Sequence, residues 1–177
     1  AFDGQTFTPE TDVLRAEWGA NGYAAQTWSD VPESDGRRIQ IAWMAGGKYP
    51  AMSFNQQFTF PVELTLRSTP QGVRLYRQPV HERELLRLRT QRWEHVTLQP
   101  GANLIPQTDC ELFEVCAEID PGEAQAVGLL VRGHDLCYDL STGELSALGK
   151  RAAVALEGGR LRLQALIDRT SLEVFAQ

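Results

Sequence analysis

The side chains of this chain that could do chemistry are few and dispersed. His81, His95 and His134 stand far apart, without the spacing that metal ligands need. Cys110, Cys116 and Cys137 form no CxxC pair and no Cys/His ligand pattern. Their apolar, strand-like surroundings favour buried small side chains, with one disulfide plus one thiol as the other reading. Asp30 and Asp35 flank Pro32 and read as turn acids. Asp168-Arg169-Thr170-Ser171 reads as a tight turn between strands. Gly46-Gly47 reads as a loop and not a phosphate cradle, because no Gly-Lys-Ser/Thr follows. There is no Asn-x-Ser/Thr acceptor. No nucleophile, metal or phosphate chemistry is therefore written into local motifs.

The elements that would position such groups are strands. Arg38–Met44, Gln57–Phe60, Val62–Leu66 and Gly72–Tyr76 carry alternating or bulky apolar residues. Gly and Pro turns separate them at roughly ten-residue intervals, the pattern of an all-β fold. Val80–Arg89 has mixed charges and holds a few helical turns at most, so it reads as a linker between two β regions. Beyond it the candidate strands are Trp93–Leu98, Cys110–Ile119, Val127–Val131, Leu136–Leu140, Ala153–Leu156, Arg160–Asp168 and Ser171–Phe175. On the longest, Leu112, Glu114, Cys116 and Glu118 share a face. Seven short strands in this space fit a β-sandwich.

Composition bounds the rest. The chain has 177 residues, 42% hydrophobic and 23% charged, ordinary globular values. Its formal net charge of −6 argues against a nucleic-acid partner. No apolar run approaches the roughly 18 residues of a membrane-spanning helix, so no membrane partner is expected. The start lacks an initiator Met and a basic, apolar leader. Both ends read as cut within strand-turn units.

Several blocks are similar to segments of one known family. They are Phe2-Asp3-Gly4-Gln5-Thr6-Phe7, Tyr23-Ala24-Ala25-Gln26-Thr27-Trp28-Ser29-Asp30, Asp35-Gly36-Arg37-Arg38-Ile39 with Ala42-Trp43-Met44, Met52-Ser53-Phe54, Phe60-Pro61-Val62-Glu63-Leu64-Thr65-Leu66, Arg74-Leu75-Tyr76-Arg77-Gln78-Pro79-Val80, and Ile167-Asp168-Arg169-Thr170-Ser171-Leu172-Glu173-Val174-Phe175. In order, they resemble glycoside hydrolase family 32, which includes levanases, inulinases and invertases. The run Trp43-Met44-Ala45-Gly46-Gly47-Lys48-Tyr49-Pro50 with Asn55-Gln56-Gln57 resembles its bacterial levanase-type members more than its plant invertases. The resemblance implies an all-β chain, the final part of a five-bladed β-propeller followed by a β-sandwich. Residues 1–79 would be the incomplete propeller part, 80–91 the linker and 92–177 the sandwich, itself incomplete at its C-terminus.

The resemblance also implies retaining cleavage of β-fructofuranosyl bonds by two carboxyl groups. The family carries them in NDPNG, RDP and EC motifs, and this chain has none. Asp109-Cys110-Glu111 stands in the sandwich part and does not match. The expectation is a fragment without catalytic carboxylates, inactive alone. Its inherited site residues would be Tyr23 and Trp43, lining the fructose pocket. A Trp face suits the apolar side of a sugar, and a Tyr hydroxyl can donate a hydrogen bond. Packing within a strand is the alternative use of both. The implied substrate is fructan (levan, inulin) or sucrose, with no cofactor. The alternative is a non-catalytic carbohydrate-binding or assembly sandwich, with self-association or association with a missing N-terminal half.

Overall fold

The computed structural model describes residues 1–105 and 110–177; Asp109 lies outside them. Eleven strands and one short 3-10 helix make up its regular structure. The first four strands are β1 (Gly22–Thr27), β2 (Arg38–Met44), β3 (Val62–Thr69) and β4 (Gly72–Pro79). They pair in chain order as one antiparallel meander. The β3–β4 hairpin turns at Pro70-Gln71, where the Thr69 hydroxyl donates to Gly72 O at 2.7 Å. Pro70 cannot donate to a ladder and so belongs at the turn. Ala42 and Val62, each 1% exposed, are the buried centre of this sheet.

The 3-10 helix His81–Leu86 follows, within the segment expected to link two β regions. It is tied down by charge. Glu114 on β5 (Phe113–Ile119) accepts from Arg83 Nε at 2.9 Å, Arg87 Nε at 2.9 Å and Gln164 Nε2 at 2.5 Å. Burial alone would raise the Glu114 pKa, but these three donors outweigh it and hold the carboxyl at about 2. Glu114→Ala is expected to lose about 1–2 kcal/mol at pH 7, because two arginines lose their shared acceptor. Urea unfolding at pH 7 measures it, and an unchanged midpoint would show the network to be idle.

The remaining strands are β6 (Ala126–Val131), β7 (His134–Asp139), β8 (Glu144–Ala147), β9 (Lys150–Ala153), β10 (Leu161–Ile167) and β11 (Leu172–Ala176). β6 to β9 form a four-stranded meander, and β10 pairs with both β11 and β5. Period-two alternation on β10 sends Leu161, Leu163, Ala165 and Ile167 to one face. Val131, Leu136, Ala165 and Ile167 make one core cluster, and Tyr138, Leu145, Leu161 and Leu163 make the next. The two sheets thus share one core. Leu136 at 1% and Leu161 at 0% exposure are its best-buried large side chains, each contributing about 1.5–3 kcal/mol by burial.

Four sequence expectations need correction. Ala153–Leu156 is not a strand: the ladder there is β9, which ends at Ala153, and residues 154–156 lie beyond it. Trp93–Leu98 is not a strand: His95 has φ +53, which breaks an extended path, and the segment finds no ladder partner among the described residues. Cys110 and Cys116 are exposed, and Cys137 is half-buried; the three form no disulfide. Cys116 shares its face with Glu114 and Glu118, which pair with arginines, so this face of β5 is polar. Finally, Gln57–Phe60 pairs only through an isolated bridge at Phe58, not a full strand.

Candidate functional site

Tyr23 and Trp43 come together. They sit directly opposite one another in the β1–β2 register, so both side chains leave the same face of the sheet. Their rings meet edge to face, with centroids 6.2 Å apart and planes at 63°. β1 makes this possible by an irregularity. Its register slips between Tyr23 and Gln26, and Ala24 adopts φ +46. Such a bulge bends a strand and re-aims the side chains beside it.

Trp43 has a further cross-strand partner. An isolated antiparallel bridge pairs it with Phe58. Opposite residues share a face, so Tyr23, Trp43 and Phe58 form one row across three chain segments. Tyr23 is 67% exposed and Phe58 65%, while Trp43 is half-buried between them. Sequence reasoning placed Tyr23 and Trp43 but passed over Phe58; its place in the row depends on a pairing that no local pattern announces.

The polar contacts orient the row. Trp43 Nε1 donates to Gln56 Oε1 at 2.5 Å, fixing the indole edge. The neighbouring loop is anchored by Asn21, whose Nδ2 donates to Ala45 O at 2.6 Å while Ala45 N donates to Asn21 O at 2.7 Å. Gly46 then turns with φ +73, a conformation that glycine adopts without a side-chain clash. Tyr49, whose hydroxyl donates to Met44 O at 3.3 Å, packs on Phe54 with centroids 5.5 Å apart.

The acids with shifted ionisation are engaged elsewhere. The Asp35 carboxylate pairs with Arg37 at 2.5 Å, and Arg37 reaches Glu82 at 2.7 Å. Those hydrogen bonds hold Asp35 below its usual range and Glu82 at about 2. Asp35, read as a turn acid, and Arg37 thus join the first sheet to the 3-10 helix. Asp139 is lowered by Ser141 and Thr142 in its own turn. Asp168–Ser171 is the tight turn expected, closed by Asp168 N donating to Ser171 O at 3.0 Å. Among the described carboxyl groups Glu173 alone is raised, to about 7, by burial. It accepts from Phe60 N at 2.9 Å, at the contact between the first sheet and β11.

The row presents flat apolar ring faces beside the polar edge at which Gln56 holds the Trp43 indole. Residues 1–79 match Glycosyl hydrolases family 32 N-terminal domain. A levanase of Bacillus subtilis (strain 168) is 30% identical over 205 residues, covering 98% of this chain and 30% of the levanase. The chain belongs to family 32. A sucrose-6-phosphate hydrolase of Zymomonas mobilis is 26% identical, covering 96% of this chain and 36% of that enzyme. An exo-inulinase from Aspergillus awamori shares the fold, with a TM-score of 0.71 at 18% identity. That match covers 99% of this family 32 chain and 41% of the inulinase. The chain therefore spans about a third of the length of the curated relatives named here.

Proposed function

We propose that this family 32 chain supplies one wall of a fructosyl pocket in a glycosidase that cleaves β-fructofuranosyl linkages in fructan or sucrose. The observation that carries the reading is the row Tyr23, Trp43 and Phe58, exposed on one face, in a chain whose relatives include levanases. Trp43 stacks on the apolar face of the fructosyl unit, and Tyr23 offers both ring and hydroxyl. β1 to β4 are a blade of a five-bladed propeller, with residues 1–79 its last part, 80–91 a connector and 92–177 a sandwich. Two carboxyl groups do the reaction with retention. One attacks the anomeric carbon, and the other protonates the leaving oxygen and then activates water. Neither belongs to this chain, which has no NDPNG, RDP or EC motif.

Titration with a fructo-oligosaccharide, followed by tryptophan fluorescence, tests the wall. Trp43→Ala is expected to weaken binding roughly tenfold, the loss of about one aromatic contact. Equal affinity in the variant would remove Trp43 from the site. Incubation of the chain with sucrose and levan is expected to release no fructose above a blank, and robust turnover would mean that the reacting acids are present after all.

A second reading rests on a different observation. Phe2, Phe7, Leu85 and Leu88 are between 66% and 102% exposed and present large apolar side chains to solvent. The chain then works as an assembly module that associates through these residues. Sedimentation separates the two readings, since a clean monomer counts against assembly.

A further inference from the structure

Residues 56–60 run between β2 and the β10–β11 hairpin and are bonded to both. Toward β2, Met44 N donates to Gln57 O and Thr59 N donates to Ala42 O, each at 2.9 Å. Ala42 N donates to the buried Thr59 hydroxyl at 3.0 Å. These bonds flank Trp43, and Gln56 takes the indole N–H. Toward the hairpin, Gln57 Nε2 donates to Ser171 Oγ at 3.0 Å and to Asp168 Oδ2 at 3.3 Å. The Thr170 hydroxyl donates to Gln57 Oε1 at 2.8 Å, and Phe60 N donates to Glu173 Oε1 at 2.9 Å. The residue that holds the indole and the residue that holds the hairpin are therefore neighbours in one short segment.

We propose that the β10–β11 hairpin is a positioning element for Trp43, fixing the indole through the segment 56–60. Gln57 spends its whole amide on the hairpin turn: its carbonyl accepts once, and its amino group reaches two acceptors. With that amide engaged, the backbone of residue 57 is set, and Gln56 presents its carbonyl to Trp43 at a fixed angle. A side chain already held in its binding orientation loses less freedom when ligand arrives. The consequence for sugar binding rests on the reading of Trp43 given above; the positioning itself does not.

The test uses the 177-residue chain with Trp43 as its only tryptophan. Trp18→Phe, Trp28→Phe and Trp93→Phe are suitable because these rings are 48%, 42% and 44% exposed. In that background Gln57→Ala, and separately Thr170→Val with Ser171→Ala, are expected to raise acrylamide quenching of Trp43 and shorten its anisotropy decay. Far-ultraviolet circular dichroism checks that the sheets persist, and the hairpin pair serves if Gln57→Ala unfolds. Combining Gln57→Glu with Asp168→Asn restores a donor–acceptor pair with the roles exchanged. It is expected to return the indole toward its original quenching, which a merely adhesive contact would not do. Fructo-oligosaccharide affinity in Gln57→Ala should fall roughly three- to tenfold, the loss expected when one side chain must be ordered on binding. An unchanged Trp43 signal in the folded variants overturns the positioning role. If quenching changes but Trp43→Ala binds sugar as well as the parent, the pocket reading fails and the positioning stands.

Discussion

Gly128→Ala is expected to destabilise the chain by about 3–5 kcal/mol, measured as a shift of the urea midpoint. Gly128 lies on β6 opposite Cys137 of β7. A Cβ there would collide with Leu136 O and stand 2.9 Å from Leu136 C and 3.1 Å from the Cys137 Cα. All three are backbone atoms, so no side-chain rotation relieves the clash. β6 and β7 would have to part, and Val131, Leu136 and Tyr138 would leave the core that the two sheets share. Gly133→Ala is the control, because its Cβ would meet nothing within 4 Å. Its φ of +78 costs an L-residue about 1–2 kcal/mol. If Gly128→Ala proved the milder change, close packing of β6 on β7 would be refuted.

How much of this fold could be read beforehand depends on how each turn is made. The β3–β4 hairpin is announced by Thr69-Pro70-Gln71-Gly72, and the β7–β8 turn by Ser141-Thr142-Gly143. β8 and β9 go unread, and a strand is expected at Ala153–Leu156 instead, because the turn between them is Leu148-Gly149. Both residues have positive φ, +46 and +75, as a two-residue hairpin turn with the right twist requires. Asn or Asp normally marks the first of these positions, and leucine does not. Arg132-Gly133, with φ +50 and +78, turns β6 into β7 in the same way. Trp93–Leu98 shows the opposite failure: strand-forming residues without a neighbour to pair with remain a loop.

The site was legible only in part, and for a related reason. Tyr23 and Trp43 were located by resemblance, and their union depends on β1–β2 register. Phe58 joins them through a bridge across a loop, which no periodicity encodes. The contacts of Gln57 and Phe60 with the hairpin span more than a hundred residues of chain. Local patterns report faces of strands; they cannot report which distant turn a glutamine will meet. Gln57–Phe60 therefore reads as a strand that Pro61 ends, although it is bonded to both β2 and the β10–β11 hairpin.

Glu173→Gln is expected to stabilise the chain above pH 7 by up to about 3 kcal/mol and to abolish a pH dependence that the parent shows. Burial between β11 and the first sheet raises the carboxyl pKa from an ordinary 4.5 to about 7, against the Phe60 N–H, which favours the ionised form. Glu17 and Asp168 add like charge and Arg77 opposes them, itself paired with Glu17 at 2.8 Å. Between pH 4.5 and about 7 the folded chain keeps a proton that the unfolded chain has released. Stability must therefore fall as pH rises through that window and level off above it. Glu114 acts in the other direction: its pKa is depressed to about 2, so its contribution is present above about 4.5 and fades as pH falls toward 2. The two windows meet near pH 4.5, where the parent should be most stable. Glutamine keeps the carbonyl that accepts from Phe60 and carries no charge to desolvate, so the upper limb should flatten while the acid limb stays. Urea midpoints at intervals from pH 3 to 9 measure both. A parent whose stability is level between pH 5 and 7.5 would mean that water reaches Glu173, and that the two halves are not sealed at this contact.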